Sequence, residues 1–137
     1  LPGILRRIGE LAAEHGQRVA TAFHAGDGNL HPLILYDGAV PEEVERTERL
    51  AGRILEECLA LGGTITGEHG IGAEKIDKAC KQFADPVLED YFAVKRAFDP
   101  AGLLNPGKAI PTLTRCAELR GSHVHHGQLP HPELERF

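Results

Sequence analysis

Two stretches of this chain gather side chains that could do chemistry: His24-Ala25-Gly26-Asp27-Gly28-Asn29-Leu30-His31 and Gly67-Glu68-His69-Gly70. In the first, two imidazoles flank a loop of small and polar residues. A chain that turns back there can aim both rings at one spot, whereas on a helix residues seven apart stand two turns away. Glu68 and His69, delivered from the end of a third strand, complete a candidate cluster. Two histidines and one carboxylate with open positions form a recurring catalytic metal set, suited to zinc, manganese or ferrous iron. The expected ligands are therefore His24, His31 and Glu68. His69, beside a metal-ligating carboxylate, is placed to act as a general base near neutral pH. Each residue also has a plainer reading. Histidines near turns are commonly surface residues, and Asp27 and Asn29 beside glycine are ordinary turn formers.

The glycines around Glu68 invite a phosphate-binding reading that fails on detail. Gly67 and Gly72 have the spacing of a P-loop's two glycines, but Ala73 stands where lysine is required. Gly70-Ile71-Gly72 lacks the third glycine of a dinucleotide fingerprint, Lys75 occupying its place. No independent nucleotide site is expected. The late histidines His123, His125, His126 and His131 read as exposed polar residues.

The elements that must position these groups follow from periodicity. Pro2 and the spacing of Ile4, Leu5, Ile8, Leu11 and Ala12 predict a helix over 2–16, closed by a left-handed Gly16. Arg18–Phe23 and Leu33–Tyr36 read as strands joined by the Gly-Asp-Gly-Asn turn, an antiparallel pair. A long helix starts at Pro41-Glu42-Glu43, where proline and carboxylates suit a first turn. Its stripe runs through Val44, Thr47, Ala51, Ile54, Leu55, Cys58 and Leu61 to Gly62-Gly63. Thr64–Thr66 is expected as a short strand and 73–82 as a short helix. Asp85-Pro86 opens a last helix with Leu88, Tyr91, Phe92 and Phe98 on its apolar face. The order α-β-β-α-β-α predicts an α+β domain, a small and mostly antiparallel sheet with flanking helices. After Lys108 the composition shifts to Pro, His and scattered charge. That shift divides the chain into a domain over 1–108 and an extended tail over 109–137.

Composition narrows the function classes. The 137 residues carry a formal charge of −5, with 42% hydrophobic and 26% charged side chains. A chain of this length buries roughly two-thirds of its unfolded surface, enough for one core without disulfide staples. Acidic balance, 5% aromatics and no Trp argue against nucleic acid as a partner. No apolar run reaches the length of a membrane span. Cys58, Cys80 and Cys116 have no CxxC or close spacing, which fits a reducing, cytoplasmic compartment better than a disulfide framework. With no Met and a Leu-Pro-Gly start, the chain is expected to be the C-terminal piece of something longer or to have a misplaced start.

Three strings, HAGDGNLHP, GGTITGEHGIG and AFDPAGLLNPGKAIP, resemble the C-terminal region of FAD-linked oxidases. These are vanillyl-alcohol-oxidase-like flavoproteins, a family that includes D-lactate dehydrogenases and the FAD-bearing subunits of bacterial glycolate oxidases. The resemblance covers almost the whole chain. It implies an N-terminal FAD domain, an α+β cap to which this chain contributes, and oxidation of a small (R)-2-hydroxy acid to the 2-oxo acid. It also implies a divalent metal held by His24, His31 and Glu68, with His69 as acid/base. Asn105, with Gly70 and Gly72, would lie near the flavin. Partner subunits carrying a second flavin domain and iron–sulfur clusters would place the protein in the cytoplasm, peripheral to the inner membrane.

Some relatives have a polar residue where Leu33 stands, so their substrate preference does not transfer. The arginines that grip a substrate carboxylate would lie upstream, and the isolated chain is expected to be inactive. Two other classes compete: a stand-alone metal-dependent hydrolase using the same four residues, and a non-catalytic metal-binding module.

Overall fold

Helix α1 spans Pro2–Glu14 and buries Ile4, Ile8, Leu11 and Ala12 along one side. It ends in a Schellman turn. Gln17 N–H bonds the Ala12 carbonyl at 2.9 Å and Gly16 N–H bonds Ala13 at 3.1 Å, with Gly16 at φ 61°. The computed structural model describes residues 1–113 and 116; the expected tail over 109–137 otherwise lies outside the described residues. Six elements follow in the order α1, β1 (Arg18–His24), β2 (Asn29–Leu35), α2 (Pro41–Ala60), α3 (Ile76–Gln82) and α4 (Asp85–Phe98). This is the expected α+β class.

β1 and β2 pair antiparallel, from Arg18 opposite Leu35 to His24 opposite Asn29. Side chains alternate between faces. Val19, Leu30 and Ile34 turn inward onto the core formed by α1 and α2. Ala20, Ala22 and His24 therefore share the outer face with His31, Leu33 and Leu35. α2 supplies Leu50 and Ile54 to that core, and its end repeats the Schellman geometry, Gly63 N–H bonding the Cys58 carbonyl at 2.8 Å. The expected stripe on α2 is right at Ile54 but omits Leu50, which is wholly buried. Its last member, Leu61, is 66% exposed because it lies past the final turn as the helix C-cap. Arg7 bridges the two helices through Glu57 of α2 at 3.0 Å, while Glu14 at 3.1 Å and Glu10 at 3.2 Å hold the same guanidinium from within α1. Those carboxylates hold its guanidinium firmly in the charged form.

Three expectations are corrected. Thr64–Thr66 is not a strand; among the described residues the sheet has only β1 and β2. No neighbouring ladder reaches this segment, so the side chain of Gln82 accepts the Ile65 N–H instead, at 3.0 Å. The helix expected from Ala73 begins at Ile76. Two of the three cysteines are not reduced thiols, since Cys80 and Cys116 form a disulfide with 5.0 Å between their Cα atoms. Their separation of 36 positions concealed how the fold brings α3 back against the segment after Ile110.

That disulfide sits in a second, smaller core with Leu88, against which Phe83, Ile110 and Leu113 pack. Cys58 remains a thiol, and burial pushes its pKa up, keeping it protonated. Of the apolar face expected on α4, only Leu88 is buried; Tyr91 is exposed and Phe98 is 84% exposed. Among the described residues no helix is long and apolar enough to cross a membrane.

The main core yields a direct test. Leu50→Ala is expected to cost about 3 kcal/mol by leaving a cavity between α1 and α2. Leu61→Ala should stay within about 0.5 kcal/mol of the parent. Urea unfolding midpoints compare the two, and equal losses would remove Leu50 from the centre of the core.

Candidate metal centre

The hairpin and the glycine loop meet at one point. In the register of the sheet, His31 lies opposite Ala22 and His24 opposite Asn29, so the two histidines are diagonal neighbours on the outer face. Their rings meet edge to face with centroids 5.5 Å apart. Glu68 arrives from the loop after Ile65, not from a strand end. Its Oε1 lies 3.1 Å from His31 Nε2, 4.0 Å from His24 Nε2 and 3.5 Å from His69 Nε2. Three imidazoles thus surround one carboxylate oxygen.

One donor atom each from His24, His31 and Glu68 lies within 4.8 Å of the others. Donors about 2 Å from a single ion stand roughly 3–4 Å from one another, and the Glu68–His31 and Glu68–His24 separations of 3.1 and 4.0 Å match that spacing, which makes the set a candidate site for one divalent cation. Nitrogen and oxygen donors with room for further ligands suit zinc, manganese or ferrous iron. His31 is the most sheltered, at 26% side-chain exposure, and His69 the most open at 77%. The His69 ring lies 5.4 Å from that of His31.

The other expected site residues are split. Gly72 and Asn105 line one open cleft with Lys95, Leu104, Lys108 and Ile110, while Gly70 is not part of it. The cleft is held by a backbone bond of 2.8 Å from Ala109 N–H to the Gly72 carbonyl. Asn105 occupies the left-handed region at φ 46°. The two lysines lining the cleft were not singled out by sequence, because isolated lysines carry no spacing signal.

A family model described as FAD linked oxidases, C-terminal domain, matches residues 1–109. The chain belongs to this family. It is 60% identical to the glycolate oxidase subunit GlcD of Escherichia coli K12 over all 137 residues, which cover 28% of that protein. It is 40% identical to GlcD of Bacillus subtilis over 108 residues, 79% of this chain and 23% of the relative. A D-lactate dehydrogenase of Archaeoglobus fulgidus is 42% identical over 110 residues, 79% of this chain and 24% of the relative. The chain therefore spans about a quarter of the length of these FAD-linked relatives.

In this FAD-linked oxidase domain the loop bearing Asn105 is fixed by Asp99, which sequence reading treats as a turn residue. Asp99 is buried, and its carboxylate accepts the Leu103 and Leu104 N–H groups at 2.9 Å each. It also pairs with Lys95, whose ammonium bonds the Leu104 carbonyl at 2.7 Å. The Lys95 bond, then the backbone donors, hold the Asp99 pKa at about 2, below the ordinary 3.8. A depressed carboxylate pKa stabilises the folded loop above pH about 4, and the effect is lost as pH falls towards 2. Hydrogen exchange, corrected for intrinsic rates, should show Leu103 and Leu104 protected at pH 5 and released near pH 2. Unchanged protection across that window would remove Asp99 from this role.

Proposed function

We propose that this chain is the part of an FAD-dependent 2-hydroxyacid oxidoreductase that supplies a divalent-metal site and an acid/base histidine. The convergence of His24, His31 and Glu68 donors carries the reading, and family membership supports it. Small 2-hydroxy acids such as glycolate or D-lactate are the substrate class, as for the glycolate oxidase and D-lactate dehydrogenase relatives. Every relative named above is an oxidase or dehydrogenase, so redox chemistry stands ahead of hydrolysis.

The described residues do not enclose a flavin. Asn105 and Gly72 offer one wall of an open cleft, and FAD is held chiefly by protein outside these residues. Bound FAD supplies two-electron acceptance, and a bound divalent ion supplies Lewis acidity and a template for a chelating substrate. His24, His31 and Glu68 fix where the substrate's carboxylate and hydroxyl would lie. His69, open to solvent beside Glu68, takes the hydroxyl proton as C2 is oxidised and later returns it to water. The Escherichia coli relative is a glycolate oxidase subunit, which supports a partner subunit for this chain.

The test separates ligand from base in the full-length flavoprotein. His31→Ala and Glu68→Gln should lose bound metal, weakening affinity by roughly a hundredfold or more. His69→Ala should keep its metal and slow flavin reduction by glycolate or D-lactate about 10²–10⁴-fold. Normal flavin reduction in His69→Ala would overturn its assignment, and full metal occupancy in His31→Ala would overturn the metal site.

A further inference from the structure

We infer that Asn29 is a positioning residue for the metal centre, acting as a latch that seats the hairpin tip on the backbone of Gly67 and so aims Glu68 at the two histidines. This rests on the metal reading above. Gly67 is not among the residues at positive φ, so its backbone does not call for glycine. What forbids a side chain there is Asn29. A Cβ built at Gly67 would overlap the Asn29 carboxamide oxygen and carbon, the closest such approach at any glycine of the described residues.

Both sides of this contact are anchored. Asn29 opens β2, pairs across the hairpin with His24, and is half-buried. Its N–H donates to Asp27 Oδ1 at 3.0 Å, while Gly28 N–H bonds the His24 carbonyl at 3.0 Å. These bonds fix the backbone from which the Asn29 side chain projects. On the other side, Gly67 directly precedes Glu68, whose Oε1 faces His31 at 3.1 Å and His24 at 4.0 Å. The ladder fixes the histidines relative to each other, but no strand carries Glu68. The loop from Gly63 is placed by the Ile65–Gln82 bond at one end and by the seat of Asn29 on Gly67 beside the ligand. Gly67 is otherwise exposed, but on this side the Asn29 carboxamide lies against its bare backbone and leaves no room for a methyl group.

The experiment measures zinc and manganese affinity of the full-length protein by competition with a chelating dye. Asn29→Ala leaves a gap, and Gly67→Ala forces the loop off its seat. Each should weaken metal binding about tenfold or more. The double variant Asn29→Ala/Gly67→Ala should bind metal more tightly than Gly67→Ala alone, because the vacated space accepts the new methyl. Asn29→Asp, which keeps the shape, should keep affinity closer to the parent than Asn29→Ala does. Affinity within about twofold of the parent in either single alanine variant, or a double variant no better than Gly67→Ala, overturns the latch. A metal-free readout keeps this separate from the metal reading. In apoprotein, exchange of the Ile65 amide, which donates to the Gln82 side chain two residues before Gly67, should quicken in Asn29→Ala while α1 is unchanged, and unaltered exchange there overturns the latch. If the parent binds neither ion, the metal reading fails while the exchange result still decides the latch.

Discussion

His24 and His31 point the same way because Ala22 is paired with His31 and His24 with Asn29, and that register is the constraint on which the candidate centre depends. A slip of one residue in β2 would turn its whole outer face inward. The slip is resisted by Val19, Leu30 and Ile34, which pack on the core between α1 and α2. A two-stranded hairpin alone is marginal in water. The helices therefore supply the stability and the hairpin supplies the geometry. The ion pair between Arg7 of α1 and Glu57 of α2 takes no part in the centre yet helps hold the packed face that sets it.

Much of this was legible in the sequence because it is local. Proline starts, glycine stops and helical spacing gave α1, α2 and α4, and the Gly-Asp-Gly-Asn turn gave the hairpin. The same locality explains the juxtaposition of His24 and His31, which needs only a turn and a parity of faces. What was hidden is long-range. Ile65 is buried without belonging to a sheet, since a side chain from α3 takes its N–H. Asp99 looks like any residue before a proline turn, and only the fold shows that it holds two amides and a lysine. Alternation and spacing do not report which helix face will find a partner, so the buried Leu50 falls outside the stripe they predict and the exposed Phe98 falls inside it.

The two cores do different work. The larger one places the hairpin. The smaller one, around Leu88, is joined to α2 by a Lys81–Glu56 ion pair, which holds the Glu56 carboxyl below its usual range. Along the chain the segment carrying Glu68, His69 and Gly72 runs between α2 and α3, and the Ala109 amide anchors it at Gly72. The centre is thus a junction, built from residues that neither core contains.

The Cys80–Cys116 bond closes a covalent ring around α4, the Asn105 loop and the strand of backbone that meets Gly72. Its topology outlasts the fold. A protease that cuts anywhere inside this ring leaves two pieces that migrate as one, and only a thiol reductant lets them part.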